Sequence, residues 1–249
     1  MEKVSVGKET FKVYSFLMDP KGRLTLTGIA GFLQESAGNH AHRMGFGYQQ
    51  MVKSGLIWVL TRLKILIHNY PSWSDELNIE TWVVNREKYF SRRDFEIKSP
   101  SGKLLISAVS GWMLIDLKEK KPHLVDNFEL NVDMFPHRLA IPQELDKIPE
   151  LTKPEETAFY KVIYGDIDIV NHVNNTQYMR IILDSVPFDF RKKHILKTFE
   201  INYLSEAFIN EELKITTGFY QNQLTKIHEI RRKSDDRIIC RAISGWEND

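Results

Sequence analysis

Between Asp166 and Tyr178 the chain reads D-I-D-I-V-N-H-V-N-N-T-Q-Y, which places two carboxylates, three asparagines and an imidazole within a dozen residues. Asp168 and His172 stand four residues apart, and a carboxylate and an imidazole that share a site can do general acid–base work near neutral pH. The run passes at once into Met179-Arg-Ile-Ile-Leu-Asp-Ser-Val186, whose apolar residues and following Pro187 predict a buried helix. Polar chemistry therefore sits just before a helix start. There the first backbone N–H groups lack internal partners and carry the positive end of the helix dipole, so they would stabilise a developing oxyanion. Asn174, Asn175 and Thr176 are also natural N-cap residues and by themselves mark only a well-capped turn.

The chain has to supply elements that hold this segment. Its 249 residues, 42% apolar and 27% charged, are ordinary globular composition for one large domain or two smaller ones. Lysine and arginine total 34 against 33 acidic residues, a balance that gives no argument for nucleic acid as a bulk partner. A single cysteine, Cys240, excludes an intrachain disulfide framework and a multi-cysteine metal site and suits a reducing compartment, with the cytoplasm as the default. The first ten residues lack the apolar core of a signal peptide, and no later run approaches the length of a membrane span.

Phe11 to Met18 alternates as a strand, and Asp19-Pro-Lys-Gly22 follows as a turn. A helix is predicted from a Thr27 cap to Gly45, with Ile29, Phe32, Leu33, Ala37 and His40 at helical spacing, then a shorter one near Tyr48 to Val52. Leu56 to His68 reads as a long strand with Ile57, Val59, Thr61, Leu63, Ile65 and Ile67 on one face. Strands are expected near Glu76–Asn85, Tyr89–Ile97 and Lys103–Leu117, the last two joined by the turn Ser99-Pro-Ser-Gly102. One helix followed by several antiparallel strands is an α+β pattern in which the sheet covers the helix. Five of the nine prolines then fall between Pro122 and Pro154, which predicts a linker over 118–157. Its apolar residues Phe128, Leu130, Met134, Phe135 and Ile141 suggest that it runs along a surface.

After the linker the letters return. Ser74-Asp-Glu-Leu-Asn-Ile-Glu-Thr81 is echoed from Asn210 to Thr217, and Ile106-Ser-Ala-Val-Ser-Gly-Trp112 from Cys240 to Trp246, at offsets of 136 (74 to 210) and 134 (106 to 240) residues. Phe32–Ala37 matches Ile181–Val186 in pattern and aligns the two helices. Two similar segments in one order at nearly constant offset mean an internal duplication, with a first repeat over 1–117 and a second over 158–249.

The run from Asp166 resembles the D-x-D-x-N-x-H-V-N-N signature of the acyl-acyl-carrier-protein thioesterases of plants and bacteria. The resemblance extends over nearly the whole chain, through Leu33-Gln-Glu-Ser-Ala-Gly-Asn-His40, Leu56-Ile-Trp-Val-Leu-Thr-Arg62, Tyr70-Pro-Ser-Trp-Ser-Asp75, Thr81-Trp-Val83 and Arg92-Arg-Asp94. It implies a double hotdog fold, each repeat a long helix wrapped by an antiparallel sheet. It also implies hydrolysis of fatty acyl-acyl-carrier protein, with acyl carrier protein and a fatty acyl thioester as partners. No cofactor is implied, the phosphopantetheine arm arriving with the substrate, and a homodimer stands as one option for assembly. The family's later catalytic glutamate falls on Glu206 in Asn202-Tyr-Leu-Ser-Glu-Ala207.

Two departures bear on mechanism. The family's asparagine two residues after the aspartate is Val170, with Asn171 one place later, and the cysteine that plant members carry after the glutamate is Ala207. A cysteine nucleophile is thereby excluded at that position, and the chemistry falls to carboxylates and a water. Asp168 or Glu206 then orients or deprotonates the water, His172 assists, and Asn171 is a candidate for holding substrate. The blander reading is that Asp168 and His172 pin a turn and Glu206 is a strand surface residue. The second repeat carries the catalytic set (1–117 being acyl-binding, 158–249 catalytic), which leaves Phe32, Leu33 and Ala37 of the first, with Asn174 and Asn175 of the second, as substrate-binding candidates.

His40 and His42 lie two apart on a helix, which points them in different directions, so a polar helix face is expected rather than a metal site. Arg191-Lys-Lys193, Arg231-Arg-Lys233 and Arg92-Arg93 are solvated surface or, for at least one cluster, a dock for an acidic carrier or its pantetheine phosphate. An acyl-CoA thioesterase is the runner-up, differing only in the carrier, and a catalytically silent acyl-binding protein of the same fold is the alternative from another class.

Overall fold

A computed structural model describes residues 5–125 and 132–249; Phe128 and Leu130 lie outside the described residues. The chain divides into two compact units, Met1–Leu145 and Asp146–Asp249. The division falls inside the proline-rich segment 118–157.

In the first unit, β1 (Val6–Lys12) leads through a 3-10 turn at Ser15–Leu17 to α1 (Leu26–Arg43) and α2 (Tyr48–Lys53). β2 (Leu56–Ile67), β3 (Glu76–Glu87), β4 (Phe90–Lys98), β5 (Leu104–Asp116) and the two-residue β6 (Lys121–Pro122) follow. The strands pair antiparallel in the order β1-β3-β4-β5-β2, with β6 against β5. The first strand thus lies earlier than the alternation of Phe11–Met18 suggests. Its register runs from Val6 opposite Trp82 to Lys12 opposite Glu76, and at Val13 the chain leaves the ladder by exchanging backbone bonds with Ser74 and Asp75.

α1 is capped by Thr25, whose hydroxyl accepts from Gly28 N–H at 3.1 Å, rather than by Thr27. Leu26, Ile29, Ala30, Leu33, Ala37 and His40 form its buried stripe, packed toward β1 and β3. In β2 the expected single apolar face fails at a bulge between Leu60 and Arg62. The extra residue swaps parity, so Leu56 lies buried on one side of the bulge and Leu63, Ile65 and Ile67 beyond it.

Residues beyond β6 belong to the first unit's packing: Trp82 donates to Arg138 O, Phe135 N–H to Val83 O, and Ile141 is fully buried.

In the second unit β7 (Glu156–Lys161) leads through a 3-10 turn at Tyr164–Asp166 to α3 (Asn175–Ser185), α4 (Phe188–Lys193), β8 (His194–Tyr203), β9 (Glu212–Tyr220), β10 (Asn222–Arg232) and β11 (Ile238–Asn248). These strands pair antiparallel in the order β8-β11-β10-β9-β7. The α+β pattern is therefore built twice, although α3 has 11 residues against the 18 of α1. No helix among the described residues is long and apolar enough to cross a membrane.

Candidate active site

The loop ahead of α3 is fixed from within. Asp166, buried, accepts from the Tyr160 hydroxyl and from Ile163 N–H and pairs with Arg180 at 2.7 Å, which ties the loop to β7 and to α3. Asp168 Oδ1 accepts from the backbone N–H of Val170 at 3.0 Å and of His172 at 3.2 Å, and its own N–H donates to His172 O. Its carboxylate thus closes the loop on itself. Asn171 stands exposed with φ of +65°, the left-handed region that asparagine tolerates better than most residues. That backbone requirement accounts for an asparagine one place after Val170.

Asn174 caps α3, its Oδ1 accepting from the Thr176 N–H and hydroxyl. Asn175 is the first helical residue, and its carbonyl accepts from the Tyr203 hydroxyl at 3.0 Å.

The loop presents His172 to Glu206. His172 Nδ1 and Glu206 Oε1 lie 3.3 Å apart, with the imidazole one third exposed and the carboxylate more open. Phe208 meets the imidazole edge to face at 5.1 Å. The neighbours of the pair hold it in place, because Val173 N–H donates to Ala207 O at 3.0 Å and Ala207 N–H donates to the buried Tyr178 hydroxyl at 3.0 Å. Burial pushes the Tyr178 phenol well above its ordinary pKa, so it stays a neutral acceptor. Arg232 donates to Glu206 O at 2.8 Å and pairs with Glu211, which in turn accepts from Phe208 N–H. Glu206 accordingly sits in a braced loop after β8 and not on a strand.

His172 and Glu206 are thus brought together, Asp168 reaches His172 through that residue's backbone N–H and C=O, and Asn171 donates its backbone N–H to Asp168 O at 3.1 Å while its side chain stands exposed. Tyr178 and Phe208 support the pair without a signal in the sequence, and Arg232, expected as solvated surface or a carrier dock, braces Glu206 O instead. Tyr178 ends the polar run that begins at Asp166, but nothing in its spacing tells that its hydroxyl reaches Ala207. Cys240 is fully buried on β11, and burial raises its thiol far above the usual range.

A cavity of about 190 Å³ lies in the first unit, between α1, α2 and the sheet. Ala37 lines it; Leu33 does not and is core, while Phe32 stacks on Phe11 with centroids 4.8 Å apart. Helical spacing put the three on one stripe, and the cavity takes only its α2-proximal end. Two further expectations change. Arg92 and Arg93 are buried, so they are neither solvated surface nor a carrier dock. Arg92 forks onto Asp94 at 2.9 and 3.2 Å, and Ala140 N–H adds a bond to the same carboxylate. His40, expected on a polar face, is fully buried and accepts from Arg93 at Nδ1, whereas His42 is exposed and meets Gln50.

Residues 5–129 match the acyl-ACP thioesterase N-terminal domain and residues 150–248 the C-terminal domain. An oleoyl-acyl carrier protein thioesterase 2 of Arabidopsis thaliana, chloroplastic, is 33% identical over 218 residues, covering 80% of this chain and 59% of the relative. The chain therefore spans about three fifths of that protein's length. A crystal structure of an acyl-ACP thioesterase from Bacteroides thetaiotaomicron superposes with a TM-score of 0.89 at 28% identity over 98% of both chains. A 12:0-ACP thioesterase from Umbellularia californica shares the fold at TM-score 0.82 and 22% identity, over 98% of both chains. With both domains matched in order and the two helix-and-sheet units in place, this chain is a double hotdog protein and belongs to the acyl-ACP thioesterase family.

Proposed function

We propose that the protein hydrolyses the thioester of fatty acyl-acyl-carrier protein to a free fatty acid and the holo-carrier. The observation that carries this reading is the approach of His172 Nδ1 to Glu206 Oε1 at 3.3 Å. A glutamate on Nδ1 selects the tautomer with its proton there and leaves Nε2 as an acceptor, which takes a proton from the attacking water. Glu206 then stabilises the imidazolium, and the same imidazolium returns the proton to the departing thiolate. The N–H of Asn175 opens α3 while Asn174 occupies the donors of Thr176 and Gln177, so it is the donor proposed for the oxyanion. Asp168 is assigned to setting the loop. Asn171 satisfies the left-handed turn.

The acyl chain is assigned to the cavity beside Ala37, so a bulky residue there shortens the preferred chain. Carrier docking is assigned to Arg191-Lys192-Lys193 in the last turn of α4, where Lys192 and Lys193 are exposed. Arg231, Arg232 and Lys233 pair with Glu229, Glu211 and Glu212, and Arg191 with Asp184, so exposure of Lys192 and Lys193 carries the assignment. The one buried thiol suits a reducing compartment, and the cytoplasm is the proposed site of action.

The test is release of free thiol from matched acyl-carrier and acyl-CoA substrates. Faster turnover of the carrier substrate, lost when Lys192 and Lys193 are neutralised while a small synthetic thioester is still cleaved, supports the reading. Preference for acyl-CoA moves the assignment to the CoA thioesterases, and no turnover of either removes the hydrolase reading.

A further inference from the structure

Arg93 projects from the centre of β4 to the wall of the first unit's cavity and is 5% exposed. One of its nitrogens donates to His40 Nδ1 at 2.9 Å and to the Thr81 hydroxyl at 3.1 Å. Among the described residues no carboxylate pairs with it. A desolvated guanidinium with only neutral partners is costly, because burial removes hydration that no counter-charge replaces. Burial lowers its pKa to about 10, which leaves it charged at neutral pH. The Trp58 indole also lines the cavity, and its Nε1–H is buried without a hydrogen-bond partner. Around these two donors the wall is mostly apolar, with Ala37, Phe46, Met51 and Val83, and Gln34, Tyr48 and Ser91 as its other polar residues.

The second repeat shows how this position is treated where the cation is compensated internally. Arg93 faces Ser110 across its ladder, and Lys226 faces Ser244 across the corresponding one. In both repeats the serine hydroxyl accepts from a tryptophan, Trp112 or Trp246, at 2.8 Å. Lys226 is as buried as Arg93, but its ammonium stands 4.5 Å from the Phe219 ring and 4.7 Å from the Phe190 ring, with Glu156 at 3.9 Å. No ring or carboxylate plays that part for Arg93 among the described residues. Its missing counter-charge faces a cavity.

We infer that the first unit's cavity is a site for an aliphatic carboxylate, with Arg93 as counter-ion to the carboxyl group and Trp58 Nε1–H as a second donor. Binding itself does not depend on the thioesterase reading; only the source of the ligand rests on it. The carboxylate would come either from the fatty acid that the reaction releases, rebinding in the cavity, or from an acyl chain that carries a second carboxyl at its far end.

Calorimetric titration of the full chain with decanoate and with methyl decanoate tests the site. Decanoate should bind at least about tenfold more tightly than the ester. The difference should vanish in Arg93→Met, survive in part in Arg93→Lys, and shrink several-fold in Trp58→Phe, which keeps the aromatic filling if the arginine variant fails to fold. Equal affinity for acid and ester in the wild type, or a preference unchanged in Arg93→Met or Trp58→Phe, overturns the inference. Competitive inhibition of thioester cleavage by decanoate then assigns the product as source, and faster cleavage of an ω-carboxyacyl thioester than of its plain analogue assigns the substrate. Absence of cleavage would fail the hydrolase reading and leave the binding result standing.

Discussion

The loop before α1 and the loop before α3 have one backbone and two chemistries. Asp19 Oδ1 accepts from Lys21 and Arg23 N–H as Asp168 Oδ1 accepts from Val170 and His172 N–H. Asp19 N–H donates to Arg23 O and Asp168 N–H to His172 O, both at 2.8 Å. Gly22 and Asn171 take the same left-handed turn, at φ +71° and +65°. Leu24 N–H reaches Pro71 O as Val173 N–H reaches Ala207 O, and Thr25 and Asn174 then cap their helices. What differs is the facing pair. Where the second repeat sets His172 against Glu206, the first sets Arg23 over the ring of Tyr70 at 5.4 Å, with the guanidinium folded back onto Asp19. Arginine cannot shuttle a proton near neutral pH, and a phenol is a poor base there. The comparison separates residues that make the loop from residues that do the chemistry. On the proposed mechanism Asp168 falls in the first group and His172 with Glu206 in the second.

The largest effect should fall on the pair. Glu206→Gln and His172→Gln should each lower kcat by about a hundredfold or more on an acyl-carrier substrate, the scale of lost general-base assistance, while Arg23→Gln and Tyr70→Phe stay within about threefold. Comparable losses in both repeats would break the division between them.

A second contrast lies inside the sheets. His228, opposite Thr217 and Ala242 on its ladders, bridges the Thr217 and Ser244 hydroxyls at 2.9 and 2.8 Å, and the first repeat puts Phe95 at that position, opposite Thr81 and Ala108. Burial, with Lys226 nearby, lowers the His228 pKa from 6.5 to about 3. The folded protein therefore resists a proton that the unfolded chain binds below pH 6.5, and the stabilising contribution present above 6.5 is lost as pH falls toward 3. The slope is about 1.4 kcal/mol per pH unit for this one group. Denaturant midpoints taken from pH 7 to 4 should fall with that component, and His228→Gln should flatten it.

Smaller effects sort the loop aspartates. Asp168→Ala and Asp19→Ala should each cost about 1–2 kcal/mol of stability, since each leaves two loop N–H groups without their acceptor. Asp168→Asn retains the acceptor oxygen and should keep turnover within about tenfold, far above Glu206→Gln. Smallest of all, Asn171→Gly copies the first repeat and should leave activity and melting temperature nearly unchanged. A severe kinetic loss in Asn171→Gly with the fold intact would instead give that amide a part in the chemistry.

Much of this was legible in letters. The echoes of Ser74–Thr81 and Ile106–Trp112 announced the duplication because β3 and β9, and β5 and β11, keep their pairing faces and hence their residue types. The helix start after Asn174 was legible because capping needs particular side chains. The loop equivalence was not, since Asp-Pro-Lys-Gly-Arg and Asp-Ile-Val-Asn-His share little besides the aspartate and a residue that tolerates positive φ. Burial of Arg92 and Arg93 was equally hidden: charge is visible in a sequence, whereas His40 and Thr81 meet Arg93 only across a helix and a strand, and nothing in the letters tells that the Arg92–Asp94 pair on β4 faces inward. The parity of β2 is not legible in its letters, because a bulge leaves no fixed residue signature. Glu206 came from family likeness, and its contact with His172 spans a sequence separation that spacing cannot bridge.

A double-mutant cycle on His172 and Glu206 puts the two-residue unit to the most direct trial. kcat/KM would be measured for His172→Gln, Glu206→Gln and the double variant on one acyl-carrier substrate, with circular dichroism confirming the fold. Residues that act as one unit are strongly non-additive, so the double variant should be no slower than the slower single within about threefold. Losses that multiply, each variant costing its full factor in the presence of the other, would mean that His172 and Glu206 act independently and that the 3.3 Å approach is not the catalytic pair.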